Sequence, residues 1–138
     1  MDQVKYYGMG PLESYVDKHQ ASYHGIFEGN VKEFHEDYIR PQENGSHFDS
    51  DYVMVKGEKV SITAFGEQTF SFNVSPYTQE ELTDKAHNYE LEESDSTVLC
   101  LDYAQAGIGS NSCGPELLDV YKLDEEEFIY TIHMVMSK

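Results

Sequence analysis

The groups in this chain able to do acid–base, nucleophilic or metal chemistry are 26 Asp and Glu, six His and two Cys. Hydrolysis of a glycoside needs two carboxylates across a sugar, one kept protonated by an apolar pocket. With so many acids some pair always has a suitable spacing, so the count selects nothing. Glu92-Glu93 and Glu125-Glu126-Glu127 adjoin turn residues, where charge stays solvated. The histidines stand at His19, His24, His35, His47, His87 and His133. No two of them have the spacing by which one helix or strand brings a pair onto a metal beside a third ligand. Phe34-His35-Glu36-Asp37 gathers imidazole and acid, as an exposed polar turn also would. Cys100, between Leu99 and Leu101, reads as a small buried side chain, and two cysteines are too few for a disulfide framework.

Two glycine motifs invite a phosphate reading, Gly8-Met9-Gly10-Pro11 and Gly107-Ile108-Gly109-Ser110. Neither has the third glycine of a dinucleotide loop and neither opens a helix, so neither is read as one. The second sits in an eleven-residue stretch, Gln105 to Pro115, built almost wholly of small side chains. A loop of that kind after a strand can approach a ligand or another backbone closely. No Ser–His–Asp or Cys–His set can be assembled from sequence distance alone.

The elements that position these groups follow a period of two. In Gln68 to Val74, Phe70, Phe72 and Val74 alternate with Thr69, Ser71 and Asn73, predicting a strand with one wet face. Lys59 to Phe65 precedes it, with Gly66-Glu67 as a hairpin turn, and Tyr52 to Lys56 comes before that, turned by Gly57-Glu58. Thr97 to Tyr103 and Glu127 to Met136 are further strands. Apolar side chains on both faces of the last predict a central strand, or one covered from outside the chain. Val4 to Tyr7, Ala21 to Glu28 and Leu118 to Leu123 give weaker strand signals. Thr78 followed by Glu81 is a capping box that opens one short helix, Thr78 to His87. The chain therefore reads as all-β, an antiparallel β-sandwich with one helix near 78–87, and residues 1–138 as one domain or part of one.

Composition narrows the partners. Nine basic residues against 26 acidic ones give a net charge of −17, and Arg40 is the single arginine. No basic face can be assembled to replace the counterions of nucleic acid or of an anionic membrane. No apolar run reaches the ~20 residues of a membrane helix, and Met1-Asp2-Gln3 opens no signal peptide. A cytoplasmic location is the expectation. Eleven Tyr and no Trp in 138 residues suit half-wet faces that meet a partner.

Four stretches carry a family resemblance. Tyr6-Tyr7-Gly8-Met9-Gly10-Pro11-Leu12-Glu13-Ser14-Tyr15-Val16-Asp17 resembles a "YYG-GP-ESY-D" signature of large bacterial β-galactosidases of glycoside hydrolase family 2. Tyr38-Ile39-Arg40-Pro41-Gln42-Glu43-Asn44-Gly45 is similar to their "Y-RPQENG" motif. Phe70 to Thr78 looks like their "F-FS--YT" strand. Leu101-Asp102-Tyr103 with Gly107-Ile108-Gly109 resembles "LD----GIG", and Ser112-Cys113-Gly114-Pro115 stands close behind. The four keep the family order over nearly the whole chain.

The resemblance implies the later half of the carboxy-terminal, small-chain domain of those enzymes, a supersandwich of the galactose-mutarotase type. It implies no catalytic residue and no metal ligand here, because the family's two catalytic glutamates and its magnesium and sodium ligands lie on a (β/α)₈ barrel. The partners implied are that remainder of the enzyme and a galactoside such as lactose. The site residues implied are the loop residues Gly109, Ser110, Asn111, Ser112 and Cys113, which in the family reach the active-site mouth and present a Trp to the sugar. This chain has no Trp, its loop is one residue shorter, and Cys113 stands nearest the Trp position. The Arg40–Glu43 pair reads as a turn held by a charge-assisted hydrogen bond, with a sugar contact from Gln42, Glu43 or Asn44 as the other reading. Two further functions remain open, a stand-alone carbohydrate-binding sandwich and a mutarotase-like isomerase. Exposed sheet edges lead to an expectation of self-association.

Overall fold

The computed structural model describes residues 2–109 and 115–138. Its strands are β1 (Gln3–Gly10), β2 (Tyr23–Asn30), β3 (His47–Lys56), β4 (Ser61–Ser75), β5 (Val98–Asp102) and β6 (Ile132–Ser137). One α-helix, α1 (Gln79–Asp84), and three single 3-10 turns join them. All the ladders are antiparallel. The strand order is β2-β1-β3-β4-β5, with β6 paired to β4. The protein is all-β with one short helix, as its period of two predicts. The described strands form one hydrogen-bonded sheet; a second sheet facing it is not among them.

Alternation builds the core from one face of this sheet. Val4 and Tyr6 of β1, Val53 and Val55 of β3, and Ala64, Phe70, Phe72 and Val74 of β4 are buried together with Val31. Successive strand residues point to opposite faces, so β1 buries every second side chain. Helix α1 starts where the capping signal places it, since the Thr78 side chain accepts from the Glu81 amide at 3.1 Å. It ends at Asp84 rather than at His87. The Glu81 carboxylate, expected to close the box, instead accepts from the Glu92 amide and faces Lys85.

Gly66-Glu67 is not a hairpin turn. Strand β4 runs through it, and a Cβ at Gly66 would lie 2.2 Å from the Gln68 carbonyl oxygen, so only glycine fits. Tyr52 pairs with Phe65 but Ser50 pairs with Phe70, which leaves 66–69 as a bulge facing a single residue of β3. A glycine inside a strand marks such a bulge as readily as a turn. The bend lets one strand serve two partners: β6 against Ser61–Gly66 and β5 against Ser71–Ser75.

Three other expectations are corrected. Strand β6 covers only Ile132–Ser137, and it lies at an edge rather than in the centre, paired to β4 alone. Ile132 packs against the core, but Met134 is 60%, Val135 51% and Met136 70% exposed, so most of the strand's apolar side chains are bare. The stretch Leu118–Leu123 holds a 3-10 turn at Asp119–Tyr121 instead, with the Tyr121 amide bonded to the Leu118 carbonyl and Lys122 paired to Asp119, and no described strand pairs with it. The second face of Phe70–Val74 is not wet, because Ser71 and Asn73 are buried too. The molecule exposes 8955 Å², whereas a compact chain of its mass exposes about 7,300 Å². No helix among the described residues is long and apolar enough to cross a membrane.

Candidate functional site

Glu13 lies at the junction of the first two signature stretches. Its side chain is 7% exposed and accepts from four donors. Lys18 Nζ reaches Oε1 at 2.6 Å, beside the Tyr38 hydroxyl. The Tyr15 hydroxyl and the Gly45 amide reach Oε2 at 3.1 and 3.0 Å. Burial works against the charge, but Lys18, Tyr38 and Gly45 outweigh it and hold the carboxyl below its ordinary value. A carboxylate so fully occupied, and so firmly ionised, is neither a proton donor nor a nucleophile. A cleft of about 470 Å³ opens beside it, and its lining mixes Lys18 and His19 with Glu36 and Asp37.

The second stretch is equally committed to structure. Asn44 Nδ2 donates to the Glu36 and Gln42 carbonyls, both at 3.0 Å, and Asn44 Oδ1 accepts from the Glu36 amide. Gly45 has φ +68°, and a Cβ there would lie 2.0 Å from the Phe34 carbonyl oxygen. The expected Arg40–Glu43 bond does not form: Arg40 is exposed, and Glu43 instead accepts from Asn73 Nδ2 at 2.8 Å and Gln79 Nε2 at 3.3 Å. A side-chain amide on a buried strand face out-competes a residue in water.

Asn73 belongs to the polar face that sequence reasoning took for wet. Register pairs Asn73 with Cys100 and Ser71 with Asp102, and directly paired residues share a face. Burial pushes the half-buried Cys100 thiol up to about 11, with Glu43 and Asp102 adding to it, so the thiol stays protonated and inert at neutral pH. Burial raises Asp102 as well, against a 2.9 Å bond from Gln105 Nε2.

Among the histidines, His47 is 2% exposed. It stacks on Phe72 at 5.2 Å and lies 4.4 Å from the Tyr6 ring. Its Nδ1 is 3.1 Å from the Met9 carbonyl oxygen, which can only accept, so Nδ1 carries the proton. Burial lowers its pKa to about 4, with the Met9 bond and Glu13 opposing. Among the described residues no group of three or more His, Cys, Asp or Glu is placed to hold a metal ion.

Of the five loop residues singled out in sequence, Gly109 is described and exposed, while Ser110, Asn111, Ser112 and Cys113 lie outside the described residues. The loop begins at a well-defined contact. The Ile108 amide donates to Asp17 Oδ1 at 3.0 Å and the Gly109 amide to Asp17 Oδ2 at 2.9 Å. The Gly107 amide donates to the Tyr121 carbonyl at 2.9 Å. Asp17, Gly109, Pro115, Leu117 and Tyr121 line a cleft of about 420 Å³. Sequence reasoning did not single out Asp17 or Glu13, though both lie in the Tyr6–Asp17 stretch; their spacing within that motif is the signal that points to them.

Residues 1–134 match the family described as beta galactosidase small chain. The β-galactosidase of Actinobacillus pleuropneumoniae is 53% identical over 135 residues, covering 98% of this chain and 13% of its own length. That of Staphylococcus xylosus is 43% identical over 133 residues, with 96% and 13% covered. That of Kluyveromyces lactis is 33% identical over 137 residues, with 99% and 13% covered. The chain thus spans about an eighth of the length of the curated relatives it matches. With a family match through residue 134 and the signature side chains joined to one another in the fold, the chain belongs to the β-galactosidase small-chain family.

Proposed function

We propose that this chain is the non-catalytic carboxy-terminal portion of a cytoplasmic β-galactosidase, completing its fold and the mouth of its active site. The observation that carries the reading is the family match over nearly the whole chain against 13% of the relatives' length. The described acids support it. Glu13 is saturated by donors, and Glu43 is bonded to two side-chain amides. In this reading hydrolysis of a terminal β-galactoside such as lactose belongs to glutamates elsewhere in the polypeptide, as do magnesium and sodium. The bare apolar faces of β6 are then where the rest of the polypeptide packs, since a large exposed apolar patch marks an interaction surface.

What this portion gives the substrate is the loop at 109–113, which borders the leaving group. Replacing residues 110–113 by a Gly-Ser segment of equal length in the complete polypeptide tests this. KM for lactose rises with kcat changed far less, the pattern of lost binding rather than lost chemistry. A KM unmoved by the replacement contradicts the loop's role.

A further inference from the structure

We propose that the cavity between β1, β2 and the 3-10 turn that follows β2 is a binding site for a small organic ammonium ion that carries N–H groups, such as a protonated primary amine. The inference is independent of how this chain serves galactoside hydrolysis.

The cavity measures about 170 Å³, the space of about five water molecules. Four aromatic rings line it, those of Tyr6, Phe27, Phe34 and His47. The last three pack around Tyr6, with centroids 5.3, 5.9 and 4.4 Å from its own. Aromatic faces attract a cation that has shed part of its water. His47, whose pKa burial lowers to about 4, is uncharged at neutral pH and does not repel one.

The Tyr6 hydroxyl sets the kind of cation. The residue is wholly buried, yet its oxygen has no hydrogen-bond partner, a costly state for a polar group inside a fold. Burial raises its pKa, so it stays a neutral phenol with lone pairs free to accept. Gly10 makes the room for it: a Cβ there would lie 2.1 Å from the hydroxyl and 2.8 Å from Phe27 Cδ2. Pro11, the next residue, lines the cavity, so the hydroxyl stands at its Pro11 end. An ammonium N–H satisfies that oxygen, whereas a quaternary ammonium has no N–H to offer.

The charge of the lining selects against an anion. Glu13, Glu28, Glu33 and Glu36 all border the cavity. Lys18 answers Glu13, and Lys5 answers Glu28. Glu33 accepts from the Asn30 amide at 2.6 Å, and among the described residues no cation pairs with it or with Glu36. Both are exposed, which leaves two uncompensated negative charges at the mouth. These acids are not grouped to hold a metal ion, so the cation they draw is one that rings and a hydroxyl can hold.

The test titrates the complete polypeptide with ethylammonium and with tetramethylammonium chloride by calorimetry at constant ionic strength. Ethylammonium is expected to bind saturably, once per chain and in the millimolar range, and tetramethylammonium at least about threefold more weakly. Tyr6→Phe removes the hydroxyl and with it the preference between the two ions. Glu36→Gln weakens both by about threefold, by removing one charge from the mouth. Glu36 is exposed, so its variant keeps the fold and the thermal midpoint even where Tyr6→Phe does not. Absence of saturable ethylammonium binding overturns the proposal. So does a preference that survives Tyr6→Phe, or an affinity that Glu36→Gln leaves unchanged.

Discussion

Substituting His47 by Phe should reverse the order of stability between neutral and acid pH. In the native fold the imidazole sits against Phe72, Phe34 and Tyr6, and burial lowers its pKa from 6.5 to about 4. The unfolded chain takes up the proton first as pH falls below 6.5, so the native state is fully favoured above that value and loses ground down to about pH 4. A gap of this size is worth about 3 kcal/mol at roughly 1.4 kcal/mol per pH unit. Phe fills the same aromatic site but loses the bond to the Met9 carbonyl, about 1 kcal/mol. That carbonyl keeps the Ser14 hydroxyl as a donor. The variant is therefore about 1 kcal/mol less stable at pH 7, crosses the native protein between about pH 5 and 6, and is about 2 kcal/mol more stable at pH 4. Urea midpoints followed by far-UV dichroism from pH 7.5 to 4 read this directly. Glu13 is common to both proteins, so its own titration cancels in the difference. A difference that stays constant over that range, or a His47 ring that titrates near 6.5, refutes the reasoning.

Replacing Glu13 by Gln leaves Lys18, Tyr38, Tyr15 and Gly45 donating toward a group with a single acceptor oxygen. The expected loss at pH 7 is about 3 kcal/mol, the low end for breaking a buried pair, because Lys18 is half exposed and returns to water. The carboxyl's native pKa lies below its ordinary 4.5, so the stability it gives is full above that value and lost as pH falls through the native value; urea midpoints at pH 7 and pH 3 check both the size and the narrowing. Cys113→Trp in the complete polypeptide should lower KM for lactose by about two- to tenfold, the worth of one aromatic stacking contact. Unchanged steady-state constants would contradict a substrate-facing loop.

Much of the sheet is legible because its core-facing residues alternate. Phe70, Phe72 and Val74 announce β4, and the Gly57-Glu58 turn lies where it was expected, with the Gly57 amide bonded to the Val60 carbonyl. What alternation cannot tell is whether the other face is wet. Ser71 and Asn73 look solvent-facing in sequence, yet both are buried, and Glu43 from a distant segment bonds to Asn73. The first part of β3 is illegible for the same reason, since Phe48-Asp49-Ser50-Asp51 shows no alternation and Ser50 is buried through its bond to the His47 carbonyl. Gly66 carries one signal with two meanings, and only the pairing partners of β4 decide for the bulge. The apolar run at 128–130 fails as a strand because no described strand takes it.

The candidate site divides along similar lines. Small residues at 105–115 mark a loop that something approaches, and the approach at Gly107 and Gly109 is by Asp17. No local pattern gives that contact, because the two segments lie 91 and 92 residues apart in sequence. The charge-assisted turn expected at Arg40 shows the opposite error, in which a neighbour in sequence was preferred to Asn73, 30 residues away.

The central claim is tested most directly by complementation. Hydrolysis of a chromogenic β-galactoside is measured for this chain alone, for the complete polypeptide lacking it, and for the two mixed. Turnover appearing only in the mixture is the predicted result, because the chain completes the enzyme without supplying its acid or its nucleophile. Turnover by the chain alone, or full turnover by the remainder without it, would contradict the account.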